Sequence, residues 1–466
     1  MNFLFKFLFI FCTYFVFVPN FNMSYLLSYA ANSVEINLDD ELRQGNILIG
    51  IKQYIGREVN EKEDNQFLIF TTDNQLIELV STNGIKHQSN EFKIVWKRLI
   101  LDSPIITRRF VLGPFASYES AFKQSTILQK EGYNPQIAYP NNWEVWLPGD
   151  TNFSDDNDFQ LEIIRNDYEL VPFLENDYIS QQLEGPISIT SQEEIKINNK
   201  NYGKYFYLVK DSYGSWTLIQ RISFDDYLKG VLPHEIGSNS PLEALKAQAI
   251  IARTWAFYNS NRFEIDNYHL CISTQCQVYK PISTTSANII RAISETSNLI
   301  LTFDDLPVNA FYHASNGGIS ATANESWQMD NFSYFQPGLD LITNFGNSID
   351  ISLNEDSNLE EFLEIDRKNF FGKDHYLFRW EKFIPKEQIE QILLNLQLLP
   401  IGSSVVNIEI LERGISGRVT ELKIVSVKPS QEIILLKDDI RRTLSFLPSN
   451  LFVIDKKDDD LWHFKG

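Results

Sequence analysis

The sequence predicts an α+β protein of several domains, built mainly from strands around a helical core at residues 223–260. Three observations lead to this prediction. The chain has 466 residues, more than a single apolar core ordinarily serves. Hydrophobic residues make up 43% and aromatic residues 13% of the chain, which is typical of packed rather than disordered proteins. Alternating apolar and polar positions recur along most of the sequence, whereas one central stretch has an Ala-rich helical pattern.

Residues 1–30 have the features of a secretory signal peptide. A lysine near the start is followed by a short apolar run to Val18, and the small residues of the stretch SYA end at Ala30. The run is short for a membrane span, although an uncleaved N-terminal anchor is the alternative. Both interpretations predict an exported protein, in the periplasm or the cell wall. The formal net charge of −20 argues against a nucleic-acid partner, which needs a basic surface.

Strands dominate the chain on both sides of the helical core. Residues 31–104 form a strand-rich N-terminal segment, with alternating patterns at 47–52 and 67–80. Residues 151–184 are acidic and rich in Asn and Asp, which predicts a linker. After the core, the pattern predicts one helix and three strands, at 385–396, 405–411, 418–427 and 431–436.

Residues 105–150 have a pattern of their own. It predicts a strand at Phe110–Leu112, a Gly-Pro turn, and a helix that begins near Ser117 and stops at Gly132. Two more strands follow, the second around Trp143–Leu147. This segment is therefore a candidate for a small module inserted into the chain.

The helical core consists of two predicted helices separated by the turn GVLPHEIGSNSP, residues 230–241. Ser223 and Ser240 each precede an acidic residue by three positions, which resembles a capping box at the start of each helix. Pro233 predicts the end of the first helix. Glu235 is therefore expected in the turn, close to the N-terminus of the second helix. The apolar stripe of the second helix, expected to be buried, consists of Leu245, Ala249, Ala252 and Ala256.

Two cysteines and a histidine lie close together in the sequence. His269, Cys271 and Cys276 form the pattern H-x-C-x₄-C. Thiolates and imidazoles are ligands of Zn²⁺, but a structural zinc site needs a fourth ligand, which His313 or His234 would supply. In an exported protein, a disulfide between Cys271 and Cys276 is the alternative, and free thiols are the third interpretation.

Four separate motifs resemble the SpoIID/LytB family of cell-wall proteins. They occur in order within residues 185–455, as YLKGVLPHEIGSNSPLEALKAQAIIARTWAF, CISTQCQVY, FYHASNGGISATANESW and RGISGRVTELKI with IRRTLSFLPSNLFVI. The resemblance implies that 185–455 is a SpoIID/LytB catalytic domain. The family includes lytic transglycosylases, which cleave the glycan strands of peptidoglycan, and LytB-type proteins described as enhancers of amidases. The resemblance therefore implies two partners, peptidoglycan glycan strands and a cell-wall amidase. It implies no required cofactor, apart from the structural zinc considered above.

The resemblance also assigns roles to residues of this sequence. Glu235 matches the family's catalytic glutamate, and a single carboxyl can act as both acid and base in transglycosylation. The alternative is a surface glutamate that caps the second helix. Lys246 and Arg253 either hold sugar hydroxyls or acetamido carbonyls, or form a solvated, salt-bridged face. The motif YHASNGG supplies the remaining candidate glycan contacts, which are Tyr312, His313, Ser315, Asn316, Gly317 and Gly318.

Residues 105–150 resemble a SPOR domain, a small fold that binds glycan strands stripped of their peptides. The resemblance is carried by the short motifs VLGPFASYESA and WEVWLPG. An inserted α+β subdomain with no binding role is the alternative. The sequence thus supports two hypotheses: a lytic transglycosylase acting on peptide-free glycan strands, and a non-catalytic glycan-binding activator of a cell-wall amidase.

Overall fold

The computed structural model of the chain describes residues 36–57, 67–152, 158–281, 285–342, 352–458 and 460–466. The predicted signal peptide at 1–30 lies outside the described residues. Helices and strands both contribute to the described ranges, and several separate sheets are present, which confirms the predicted α+β class. In these ranges no helix has the length and apolar character that a membrane crossing requires.

Strands make up most of the regular structure in the described ranges and pair mainly in antiparallel fashion. In chain order they are β1 (Asn46–Ile55), β2 (Phe67–Thr71), β3 (Ile77–Val80), β4 (Lys86–Ser89), β5 (Glu91–Phe115), β6 (Gln136–Ala138), β7 (Trp143–Pro148), β8 (Gln160–Glu175), β9 (Ser180–Gln182), β10 (Ile187–Ser191), β11 (Lys196–Ile197), β12 (Lys200–Asn201), β13 (Tyr205–Lys210), β14 (Trp216–Ser223), β15 (Leu270–Cys271), β16 (Thr302–Phe303), β17 (Leu306–Pro307), β18 (Glu381–Pro385), β19 (Ser404–Arg413), β20 (Val419–Val427), β21 (Gln431–Leu436), β22 (Val453–Asp458) and β23 (Leu461–Lys465).

The α-helices of the described ranges are α1 (Leu38–Arg43), α2 (Tyr118–Lys130), α3 (Phe224–Glu235), α4 (Leu242–Tyr258), α5 (Ala287–Glu295), α6 (Ala323–Ser326), α7 (Asp356–Glu364), α8 (Lys386–Asn395) and α9 (Asp438–Thr443).

The chain divides into two compact units, and the first comprises the described residues up to Ile106 together with Arg165–Phe311. Its main sheet has the strand order β15-β1-β14-β13-β10-β3-β4. Residues of this sheet and of α3, α4 and α5 form one apolar core. The predicted apolar stripe of α4 is confirmed, since all four of its residues are fully buried in that core; they are Leu245, Ala249, Ala252 and Ala256.

The second unit comprises Thr107–Ile164 and Tyr312–Gly466. It contains two three-stranded sheets, with the orders β18-β23-β22 and β19-β20-β21. In the same unit, α2 packs on β6 and β7. The predicted domain at 185–455 is thus divided between the two units at Phe311, and nearly all of the predicted module at 105–150 belongs to the second.

The strands β5 and β8 are the longest of the described ranges, and each contributes residues to both units. Residues 151–184, predicted as a linker, instead contain β8 and β9. Acidic side chains of β8 pair with basic side chains of β5: Lys97 Nζ lies 2.8 Å from Glu175, and Arg109 Nε lies 2.6 Å from Glu162. The polar composition of the segment therefore reflects a solvent-facing pair of strands.

The helical core differs from the prediction at two boundaries. Ser223 caps the N-terminus of α3 as predicted. The prediction that Pro233 ends the first helix is wrong, since α3 continues past it to Glu235; the proline removes one backbone donor without ending the helix. Ser240 makes no capping bond to α4, and its hydroxyl donates instead to the carbonyl of Ile236 at 2.7 Å.

Candidate functional site

Glu235 is the last residue of α3 and is half-buried. It therefore lies on the helix itself and not in the turn that follows. Its Oε1 accepts a hydrogen bond from the backbone N–H of Val278 at 2.9 Å. Its Oε2 makes no hydrogen bond to any residue that the structure describes. The carboxyl is thus oriented through Oε1, and Oε2 has no hydrogen-bond partner among the described residues.

Buried side chains fix the segment Cys276–Tyr279, which carries the N–H of Val278. Gln277 is 1% exposed, although it is an amide with four hydrogen bonds to satisfy. Its Oε1 accepts from the hydroxyl of Tyr227 at 3.0 Å, and its Nε2 donates to the carbonyl of Ala252 at 3.3 Å. These bonds tie the segment to α3 and α4, so the N–H that holds Glu235 has a fixed direction.

Tyr279 and Lys280 pack directly against α3. The ring of Tyr279 stacks on that of Tyr227, with centroids 5.4 Å apart and an angle of 23° between the planes. Gly230 permits this approach, since a Cβ there would lie 2.5 Å from both the Lys280 carbonyl oxygen and the Tyr279 ring. The N–H of Lys280 donates to the carbonyl of Gly230 at 3.2 Å. A glycine inside a helix lowers its stability, and here the close contact accounts for it.

His234 directly precedes Glu235 on α3, and Lys280 lies close enough to His234 to affect its pKa; both residues are exposed. Partial burial of its ring and the positive charge of Lys280 lower the pKa of His234, while the negative charge of Glu235 acts in the opposite direction. Lys280 forms no ion pair with a carboxylate in the described part of the chain. The neighbourhood of Glu235 therefore contains an unpaired cation.

Lys246 and Arg253, the predicted glycan contacts on α4, both have protein partners. Lys246 Nζ lies 2.9 Å from Glu243 and 2.6 Å from Glu295. Arg253 is 4% exposed, and its guanidinium donates to Asp225 at 3.0 Å and to two backbone carbonyls that follow α5. Arg253 thus joins α4 to α3 and to the end of α5. Sugar contacts of either residue stay a prediction.

The geometry of His269, Cys271 and Cys276 does not fit a zinc site. The N–H of Leu48 donates to His269 Nδ1 at 2.8 Å, and Nε2 lies 3.2 Å from the carbonyl of Leu38. Cys271 and Cys276 form a disulfide, so neither sulfur is a thiolate ligand. Across the described ranges, no group of three or more His, Cys, Asp or Glu side chains is arranged to hold a metal ion. In this structure the two cysteines therefore adopt the alternative arrangement, the disulfide.

A family model described as Stage II sporulation protein (SpoIID) matches residues 212–303, which include α3, Glu235 and the segment CQVY, residues Cys276–Tyr279. The chain carries a SpoIID/LytB-family domain. An uncharacterised protein of Brachyspira hyodysenteriae is 34% identical over 112 residues, which is 23% of this chain and 29% of that protein. The amidase enhancer of Bacillus subtilis is 36% identical over 100 residues, 22% of this chain and 13% of the enhancer.

Stage II sporulation protein D of Bacillus subtilis is 28% identical over 124 residues, 23% of this chain and 36% of that protein. This chain therefore spans between 13% and 36% of the length of these curated relatives. A second family model, described as a domain of unknown function (DUF8618), matches residues 321–466. The YHASNGG motif, residues 312–318, lies between the SpoIID match and the second match.

The YHASNGG motif belongs to the second unit, where two arginines hold its turn. Gly317 and Gly318 have φ values of +68° and +99°, as the predicted turn requires. Arg379 donates to the carbonyl of Gly317 at 2.7 Å, and Arg418 donates to that of Asn316 at 3.2 Å. The N–H of Gly318 is bonded to Asn316 Oδ1 at 2.8 Å, so this donor closes the turn instead of facing a ligand.

The other predicted contact residues of this motif are at least partly exposed to solvent. Tyr312 and Ser315 are half-buried, and His313 is exposed. Their contact with glycan stays a prediction. The structure places these residues in the second unit and Glu235 in the first.

Sequence reasoning missed the groups that orient Glu235. The roles of Val278, Gln277 and Gly230 became visible only when the fold brought CQVY onto α3. The available signal was the polar Gln277 inside an otherwise apolar motif, together with a glycine in the middle of a helix.

Proposed function

We propose that this protein is a lytic transglycosylase that cleaves peptide-free glycan strands of peptidoglycan, with Glu235 as its acid and base. The observation that carries the proposal is the half-buried carboxyl of Glu235, which is held at Oε1 by the N–H of Val278 and has no hydrogen-bond partner at Oε2 among the described residues. The position of Glu235 within the SpoIID-family match supports the proposal. The similarity to an amidase enhancer and to a sporulation protein supports action on the cell wall.

One carboxyl is sufficient for this reaction. The protonated Glu235 gives its proton, through Oε2, to the glycosidic oxygen. At the same time the bond from that oxygen to the anomeric carbon of the sugar breaks. The resulting carboxylate then takes the proton of the same sugar's 6-hydroxyl, and the oxygen of that hydroxyl forms a new bond to the anomeric carbon. The strand ends in an anhydro sugar, the proton has returned to Glu235, and no water is consumed.

The helix α3 itself supplies no second carboxylate close to Glu235. Glycosidases that use two carboxylates separate them by about 5–9.5 Å. The nearest other acid on α3 is Asp226, nine residues from Glu235 and therefore about 13 Å away along the helix axis. Asp226 is also bonded to Ser223 and Lys229, so it serves the start of the helix.

Replacement of the proposed acid tests the function directly. We expect Glu235→Gln to keep the fold but to lose roughly 10²–10⁴-fold in cleavage rate, the usual contribution of general acid–base catalysis. Anhydro-ended fragments released from purified peptide-free strands, measured by mass spectrometry, are the readout. Glu243→Gln is the matched control, since Glu243 is exposed and pairs with Lys246. Equal cleavage by Glu235→Gln and wild type would refute the assignment.

A non-catalytic activator of a cell-wall amidase is the second candidate, favoured by the similarity to the amidase enhancer of Bacillus subtilis. An activator would stimulate peptide release by a purified amidase without producing anhydro ends. It would also keep this stimulation in the Glu235→Gln variant. Stimulation without anhydro products under any condition would favour the activator over the transglycosylase.

Export to the periplasm or cell wall completes the proposal, because both candidate functions act on an extracytoplasmic polymer. The disulfide between Cys271 and Cys276 supports it, since disulfides persist in oxidising compartments. We also propose that residues 105–150 bind glycan, as their resemblance to a SPOR domain implies. Fractionation that finds the chain only in the cytoplasm would contradict export.

A further inference from the structure

Lys280 is attached by its backbone to the helix that carries Glu235. Its N–H donates to the carbonyl of Gly230 at 3.2 Å, and a Cβ at Gly230 would lie 2.5 Å from the Lys280 carbonyl oxygen. The backbone of Lys280 therefore has little freedom to move away from α3. Gly230 and His234 lie four residues apart and share one face of this helix, so Lys280 is anchored one turn before the end that holds Glu235.

A second anchor lies two residues earlier in the same segment. The N–H of Val278 donates to Oε1 of Glu235 at 2.9 Å. Two residue steps span at most about 7 Å, so the Cα of Lys280 is within that distance of the Cα of Val278. One short stretch of chain therefore orients the proposed acid and also presents a lysine close to it.

The ammonium of Lys280 has no carboxylate to neutralise it among the described residues, and the residue is exposed. Lys246 and Lys229, in the same unit, are both paired: Lys246 with Glu243 and Lys229 with Asp226. The charge of Lys280 reaches His234, whose pKa it helps to lower. An unpaired cation on the same short segment that orients the proposed acid is suited to an anionic group of the substrate.

We propose that Lys280 is a specificity-determining residue that pairs with a carboxylate on the sugar next to the scissile bond. This inference rests on the proposed function and names the chemical feature by which the site selects its substrate. In peptidoglycan, that carboxylate is the lactyl group of muramic acid, which carries a negative charge only where the stem peptide has been removed. A stem peptide converts it to a neutral amide, so the pairing with Lys280 is lost.

Binding is measured in the Glu235→Gln background, so that cleavage does not alter the ligand. The two ligands are peptide-free glycan strands and the same strands after conversion of the lactyl carboxylates to methylamides. The added substitutions are Lys280→Gln, Lys280→Arg and, as a matched control on α3, Lys229→Gln. Dissociation constants come from isothermal titration calorimetry, and circular dichroism confirms that each variant is folded.

We expect the Glu235→Gln protein to bind the free-acid strands roughly fivefold more tightly than the methylamide strands, the size expected for one partly exposed ion pair. Lys280→Gln removes this preference, Lys280→Arg keeps it, and Lys229→Gln leaves it unchanged. The inference is overturned if Lys280→Gln keeps the preference, or if the starting protein shows no preference or no binding.

The outcomes separate this inference from the proposed function. A preference that depends on Lys280 in a protein that never forms anhydro ends would leave the inference standing and reject the transglycosylase. Cleavage that depends on Glu235 but treats both kinds of strand alike, with and without Lys280, would leave the enzyme standing and reject the inference.

Discussion

The buried side chain of His269 makes the stability of the fold depend on pH. Both ring nitrogens face backbone groups, and Nδ1 must be unprotonated to accept the N–H of Leu48. Burial lowers the pKa of His269 to about 4, against the opposing effects of the Leu38 carbonyl and Asp39. The histidine is thus held in its neutral form at a point where β1 and the segment before β15 meet.

The stability that depends on His269 is expected to fall with acidification. Its folded-state pKa lies below the unfolded value of 6.5, so the contribution is complete above pH 6.5 and is lost between pH 6.5 and about 4, for a total of about 3 kcal/mol. Asp266 acts in the opposite direction, because burial raises its pKa to about 6. The measurement is therefore a difference: the free energy of unfolding of wild type minus that of His269→Gln should shrink from pH 7 to pH 4. A difference that does not vary with pH would contradict this account.

Residue types and motifs made Glu235 and the cysteine pair candidates, because each stands inside a distinctive local sequence. They could not identify the partner of Glu235, since Val278 is 43 residues away and contributes only a backbone N–H. The expected sugar contact of Arg253 shows the same limit. Its helical face was predicted, but the carboxylate and carbonyls that surround it come from α3 and from the chain after α5.

At the scale of elements, the disulfide and the CQVY segment act together. Cys271 and Cys276 close a loop with a sequence separation of 5, directly before Gln277. The N–H of Cys271 also donates to Cys276 Sγ at 3.0 Å, which keeps the loop compact. The disulfide restrains the chain before Cys276, and the hydrogen bonds of the buried Gln277 restrain the chain after it. Val278 is the next residue.

Removal of the disulfide should weaken both the fold and the site. Replacing Cys271 and Cys276 with Ala is expected to cost about 2 kcal/mol in the free energy of unfolding, as for other short disulfide loops. Cleavage should fall as well, because the N–H of Val278 loses its fixed direction toward Glu235. Denaturant unfolding and release of anhydro-ended fragments measure the two effects, with the oxidised wild-type protein as the reference. Unchanged stability together with unchanged cleavage would show that the loop is held without the disulfide.

Local patterns predicted most elements near their observed bounds, among them α2 after Ser117 and the strands β19 to β21. The exceptions arose where tertiary contacts outweighed local preference. The helix α3 continues for two residues past Pro233, to Glu235, whose side chain accepts the N–H of Val278. The acidic stretch at 151–184 forms β8, and two of its carboxylates pair with basic side chains of β5.

At the scale of the molecule, the division into two units could not be derived from the sequence. The second unit joins Thr107–Ile164 to Tyr312–Gly466, which are almost 150 residues apart in the chain. Side chains make this connection: the hydroxyl of Ser117 donates to Asp438 at 2.6 Å, and Lys123 lies 2.6 Å from Asp330. Such contacts depend on residues that no local window contains together.

Each unit has apolar clusters of its own, and this leads to a prediction about unfolding. Leu228 lies in the core of the first unit and Ile424 in that of the second, and both are fully buried. We expect calorimetry to show more than one thermal transition, as is common for chains with several cores. Leu228→Ala and Ile424→Ala should each destabilise by about 2–5 kcal/mol, and each should lower a different transition.

Two exposed positions provide the controls for this experiment. Leu306, in the first unit, is 70% exposed, and Ile401, in the second, is 96% exposed. Their replacement by Ala removes little buried surface, so neither transition should move by more than about 0.5 kcal/mol. A single transition that both buried substitutions lower equally would mean that the two cores unfold as one cooperative unit. In that case a destabilising change near Asp438 would also reduce the population of protein in which Val278 holds Glu235.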